Sequence, residues 1–212
     1  MNLIELLISS LLGGIILISI TQSGYHIYQS IEGQLTRVTL HNEGLQAIQM
    51  MGRAIQTASL PKGAIFKVMV KDSSSMSNSL VGQFQVRKGS ASLDGSDAFY
   101  THHADEAIGY QAFFVQYQGH YEQREGVLYL QTKNKKGHLQ NDALVGHVQS
   151  MQIQAGIKNG PSIEWYEPYE LSERVTKNRP HWKEVRALKI HIKLQKNKHA
   201  LEIKKIFALR HS

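Results

Sequence analysis

From Leu6 to Ile20 the chain carries no charge, and Ser9, Ser10 and Ser19 are the only polar side chains in the run. Counted from Met1, this apolar head is about 20 residues long, the helical length that crosses a hydrocarbon core of ~30 Å. Serine hydroxyls can bond back to carbonyls of the same helix, so they do not break the pattern. Glu5 is the anomaly, because a carboxylate in an apolar setting needs a partner or a proton. A secretory signal peptide fits poorly: an acid stands where Lys or Arg belongs, no small-x-small cleavage site is evident, and the first basic residue is Arg37. A buried core helix would explain the apolar run but not its position, and would leave Glu5 costly. Glu5 lies i,i+4 from Met1, one turn away on the same helical face, and an acid in the first turn suits the helix dipole. The spacing predicts a charge pair between Glu5 and an N-terminal amine, of its own chain or of a neighbour.

Beyond Thr21 the apolar residues thin out but keep a helical step. Tyr25, Ile27, Tyr28, Ile31, Leu35, Val38, Leu45, Ile48, Met51 and Ile55 recur mostly at intervals of three and four, which predicts an amphipathic helix to about Ala58. Pro61 and Gly63 then stop it. Gly24, Gly33, Gly44 and Gly52 weaken the helix and suit bends or close contacts. The whole unit reads as one helix of more than 50 residues, apolar all round at first and amphipathic later.

After Pro61 the period shortens. Residues 64–70 read as a strand, 72–79 as a loop, and 80–86 and 98–101 as short strands. The runs 113–117 and 127–130 are stronger and suit a hairpin through 118–126. Val148 to Ile157 forms a long strand, and Gly160-Pro161 marks a turn. Leu188, Ile190, Ile192 and Leu194 alternate with Lys189, His191 and Lys193, the clearest half-buried strand. Lys196-Asn197-Lys198 turns it into a closing strand from Leu201 to Leu209. This predicts an α+β fold: a long N-terminal helix packed on a mostly antiparallel β-sheet domain. The domain boundaries expected are 1–24 for the transmembrane and assembly helix, 25–59 for its amphipathic half, and 60–212 for the β-rich globular domain.

Charge is uneven along the chain. Residues 25–169 hold 12 Lys/Arg and 12 Asp/Glu, whereas residues 170–212 hold 12 Lys/Arg and 4 Asp/Glu, a net of +8. Lys189, Lys193, Lys204 and Lys205 therefore suit a face for an anionic partner, DNA among them. They equally suit a solvated sheet face whose lysines discourage stray pairing. Trp165, Tyr166 and Tyr169 sit around Pro168 with Glu164, Glu167 and Glu170. They read as an aromatic, acid-bearing loop, either tucked against the sheet or forming an interface with a neighbouring subunit.

Enzymatic and metal chemistry find little support. No cysteine is present, which excludes disulfides and thiolate metal sites. His102-His103 with Asp105 and Glu106 is the densest ligand cluster, but strand neighbours point to opposite faces. Asp94 and Asp97 around Gly95 lack the rest of a calcium loop and suit a turn. There is no Gly-rich phosphate loop, HExxH or nucleophile elbow, and nothing fixes a Ser-His-Asp triad. No metal and no cofactor is expected.

Leu3-Ile4-Glu5-Leu6-Leu7-Ile8 resembles the head of the type IV pilins and the related type II secretion pseudopilins, with the glutamate at the fifth mature position. The numbering thus resembles a mature chain without its leader, although Met1 replaces the usual phenylalanine. Gly95-Ser96-Asp97-Ala98-Phe99 is similar to a segment that enters a strand in PilW-like minor pilins. Residues 143–153 are similar to that family's "L-V-x-x-V-x-x-L-Q-V" strand, and 185–190 and 206–210 to its last two strands. The absence of cysteines departs from the many pilins that staple a C-terminal loop. The resemblance implies a non-enzymatic minor pilin that helps initiate a type IV pilus and sits near its tip. It implies cleavage by a prepilin peptidase and N-methylation of Met1. It further implies single-pass storage in the inner membrane bilayer with the globular domain in the periplasm, before export to the pilus tip or cell surface. The implied partners are other minor pilins, the major pilin and the inner-membrane assembly platform. A J-type pseudopilin of type II secretion is the alternative within the mechanism. A single-pass protein binding DNA or another anionic partner through its basic C-terminal sheet is the alternative outside it.

Overall fold

A computed structural model of the chain describes residues 2–58, 68–71, 96–102, 110–118, 125–133, 138–171 and 182–209. The helix stop at Pro61 and Gly63, the residues 64–67, the loop at 72–79 and the strand expected at 80–86 lie outside the described residues. So do Asp94, His103, Asp105 and Glu106.

One helix, α1 (Leu3–Thr57), precedes nine strands. These are β1 (Val68–Lys71), β2 (Ala98–His102), β3 (Tyr110–Gln118), β4 (Glu125–Lys133), β5 (Leu139–Val145), β6 (Val148–Asn159), β7 (Ser162–Tyr166), β8 (Val185–Lys196) and β9 (His199–Ala208). They form two antiparallel sheets, ordered β1-β2-β3-β4-β5 and β7-β6-β8-β9. The expected α+β class, with one long N-terminal helix packed on antiparallel strands, is observed.

The chain divides into two compact units, residues 1–39 and 40–212. In the first, Leu7, Leu11, Ile15, Ile18, Tyr25, Ile31 and Leu35 are all exposed. In the second, burial begins at Leu40 and recurs at Ala47, Ile48, Met51, Ala54, Ile55 and Ala58, a stripe at helical spacing. That stripe joins Phe99, Phe113 and Leu128 of one sheet and Met151, Ile153, Leu188, Ile190 and Ile192 of the other in a single core. Neither sheet could bury its apolar face alone, so the helix supplies the cover. Gly52 permits the close approach: a Cβ there would run into the Phe207 ring of β9.

Residues 143–153, expected as one strand, are two. The break falls at Gly146-His147, where His147 adopts φ 59°. The Glu125 carboxylate, at the start of β4, holds the turn by accepting from the His147 backbone N–H at 2.5 Å and lying 2.9 Å from its Nδ1. The chain thereby leaves one sheet at Val145 and enters the other at Val148. Two other expected turns lie among the described residues and fall where expected. Gly160, with φ 61°, and Pro161 join β6 to β7, and Asn197, with φ 55°, helps join β8 to β9.

Candidate functional site

Two features are candidates for function, one in each unit. The first is the apolar head of α1. Three of its hydroxyls bond within the helix: Ser10 donates to the Leu7 carbonyl at 3.1 Å, Ser19 to Ile15 at 2.9 Å and Thr21 to Leu17 at 2.7 Å. In hydrocarbon, where water is absent, that internal pairing removes the cost of a bare hydroxyl. The helix is long and apolar enough to cross a membrane, and the apolar window is fully exposed. Glu5 lies in the backbone of α1, while Met1 and the Glu5 side chain lie outside the described residues.

The second feature is the outer face of the four-stranded sheet, opposite the core. Residues paired directly across antiparallel strands share a face, so the register sorts the side chains. Gln154 pairs with Lys189 and Lys189 with Ile206; Gln152 pairs with His191 and His191 with Lys204; Ser150 pairs with Lys193 and Lys193 with Glu202. Trp165 pairs with Gly156 on that same face. Lys189, Lys193 and Lys204 are therefore brought together. Lys205 is not, because it pairs with the buried Ile190 and so belongs to the opposite face.

Glu202 organises the cluster. It lies 3.2 Å from Lys193 Nζ, 3.2 Å from His191 Nε2 and 3.8 Å from Lys204 Nζ. The hydrogen bond from Lys193, with further help from its charge and from His191, holds the Glu202 carboxyl below its ordinary value despite some desolvation. Lys189 Nζ sits 4.6 Å from the centroid of the Trp165 ring, a cation–π contact.

The aromatic segment is not a loop. Trp165 and Tyr166 belong to the edge strand β7, and Tyr169 lies in a short 3-10 helix, Pro168–Glu170. Alternation along β7 separates the first two. Tyr166 pairs with the buried Ala155 and packs against the core, while Trp165 faces outward. The Tyr166 hydroxyl donates to Glu164 at 2.6 Å, and Asn159 donates to the same carboxylate at 2.7 Å. These bonds hold Glu164 below its usual value, and the first raises the Tyr166 phenol. Tyr169 is 66% exposed.

Asp97 has a role that spacing alone missed. Its Oδ2 accepts from the buried Ile153 N–H at 2.8 Å, Ser96 Oγ accepts from the Met151 N–H at 3.1 Å, and the Asp97 N–H donates to the Met151 carbonyl at 2.7 Å. Asp97 is thus not a local turn residue but fastens the start of β2 to β6 of the other sheet. A Ser-Asp pair just before a strand signals backbone bonding, but not to which backbone. Among the described residues no group of three or more side chains is placed to hold a metal ion.

No protein-family model matches the chain, and no curated protein matches it. Among solved structures, a chain of the GspK-GspI-GspJ complex from the enterotoxigenic Escherichia coli type 2 secretion system is similar. It shares 12% sequence identity over 81% of this chain and 97% of that chain, with a TM-score of 0.39. That likeness is too slight to carry an argument.

Proposed function

We infer that the chain is a membrane-anchored, non-enzymatic assembly subunit of the pilin class, a minor pilin that helps initiate a type IV pilus and resides near its tip. The observation that carries this reading is the architecture of α1. Its head is apolar, with Ser10, Ser19 and Thr21 bonded to carbonyls of the helix itself, and carries the carboxylate residue Glu5 in its first turn, while residues from Leu40 onward supply the core of an antiparallel β domain. Such a helix can leave lipid for a bundle of sibling helices if their side chains replace the lipid contacts. Glu5 then supplies register, because a buried carboxylate strongly favours the one position where an N-terminal amine neutralises it. Sibling minor pilins, the major pilin and an inner-membrane platform are the partners of this reading, and a prepilin peptidase processes the precursor.

The test is Glu5→Leu in the native membrane. The variant should remain membrane-inserted, because the change only increases apolarity, yet should lose most of its co-purification with sibling subunits. Co-purification at the wild-type level would overturn the pairing argument. Recovery of secretion pseudopilins rather than pilus subunits would reassign the chain to a type II secretion pseudopilus.

A further inference from the structure

We propose that the two edges of the four-stranded sheet are complementary, so that β9 of one copy of the chain takes β7 of a second copy as its next strand. Among the described strands β9 is the longest at a sheet edge, and its ladder to β8 runs without a bulge. A long regular edge is a template for another strand. The Leu209 N–H donates to the Arg186 carbonyl at 2.7 Å, so the odd-numbered residues of β9 turn their backbone groups toward β8. Glu202, Lys204 and Ile206 therefore turn theirs to the other side, where no described strand lies. The same alternation sorts β7. Met151 and Ile153 direct their N–H groups away from β8, so Ala155 faces β7 and its partner Tyr166 faces back. Ile163 and Trp165 then turn their backbone groups outward.

Charge and direction decide the occupant. Residues 162–170 hold three acids and no Lys or Arg, whereas residues 196–208 hold four lysines and one acid. Among the described residues no ion pair engages Glu164, Glu167 or Glu170. Setting Trp165 opposite Ile206 places Ile163 opposite Ala208 and Glu167, whose backbone is still extended, opposite Lys204. Shifting β7 by two residues sets Glu167 against Glu202 in one direction and against Ile206 in the other, so charge selects the first register. On the other face Lys205 then falls opposite Tyr166, whose hydroxyl is bonded to Glu164. Pairing of β9 with β9 would also match Glu202 with Lys204, but it would reverse everything that runs along the strand. Gly44 faces Ile203 and Gly52 faces Phe207, so α1 runs along β9 in the same sense and would be reversed with it. Chains anchored in one membrane need the same sense, a step that rests on the anchored reading above. β7 is already antiparallel to β9, so a head-to-tail contact keeps every copy upright and leaves a free edge of each kind. Confinement in the membrane raises the effective concentration for so short a contact.

The experiment is cysteine cross-linking of the full-length chain in its native membrane, where the lack of native cysteines leaves only the introduced thiols. The variant I163C/A208C is treated with a short bismaleimide. The expected result is a covalent dimer with higher multiples, absent from I163C and A208C taken singly. Lys204→Glu, which sets like charges opposite each other, should lower the yield about tenfold, and adding Glu167→Lys should restore it. Circular dichroism checks that the charge variants are folded; where the exchange is not, Lys204→Gln and a salt titration replace it, and both should lower the yield. No dimer, a dimer formed as well by either single variant, an adduct with a different polypeptide in place of a second copy, or a yield indifferent to charge would each overturn the proposal. In those cases co-purification of sibling subunits leaves the assembly reading standing. A charge-dependent ladder without siblings would count against that reading alone.

Discussion

Ser96 and Asp97 lie beside the stretch of β6 that β7 does not reach, since β7 pairs with β6 only from Ala155 to Asn159. Without them the N–H groups of Met151 and Ile153 would be buried edge donors. The serine hydroxyl and the aspartate carboxylate take the place of strand carbonyls, and the Asp97 N–H completes the mimicry by donating back to Met151. Asp97→Ala should therefore cost about 2–3 kcal/mol, the range for a lost charge-assisted bond that leaves a buried donor unpaired. Asp97→Asn keeps an acceptor oxygen and should cost about 1 kcal/mol less. Urea unfolding of the chain in detergent reads both; equal losses in the two variants would show that the carboxylate acts by something other than accepting the Ile153 bond. The importance of a polar pair before β2 is legible in the sequence, but its target lies more than 50 residues away.

At the scale of elements, the contact between α1 and β9 sets two effects against each other. Gly52→Ala gains about 1 kcal/mol of helix propensity. Its new methyl group, however, would occupy space held by the Phe207 ring, and overpacking of this kind costs about 1–3 kcal/mol. The variant should be less stable by about 1 kcal/mol. In a Phe207→Leu background the sign should reverse, because the smaller side chain vacates the site. A double-mutant cycle by thermal unfolding measures this, and additivity would refute the contact. Strand legibility varies for a physical reason. β8 alternates cleanly because one face meets the core and the other meets water. The run through Gly146-His147 reads as continuous because its apolar residues persist across the break, and the Glu125 carboxylate that holds the turn comes from a distant strand.

For the whole molecule, the division at residues 39 and 40 predicts what truncation does. Leu40, Ile48, Met51 and Ile55 are buried in the core. At about 2 kcal/mol each their burial supplies about 8 kcal/mol, comparable to the net stability of about 5–15 kcal/mol typical of a domain. Residues 40–212 should therefore yield a soluble product with a cooperative thermal transition by circular dichroism. Residues 58–212 should aggregate or melt without cooperativity, and a cooperative transition there would refute the helix as an essential layer. By itself the sequence determined the long helix, its apolar head with Glu5, the alternation of β8 and the turns at Gly160-Pro161 and Asn197. Those features follow from periodicity and turn chemistry acting within a few residues. Only the tertiary structure decided that burial begins at Leu40, that Asp97 fastens β2 to β6, and that Trp165 joins Lys189 while Lys205 falls on the other face. Each of these depends on which strands become neighbours and in what register, and pairing between distant segments is not encoded in local spacing.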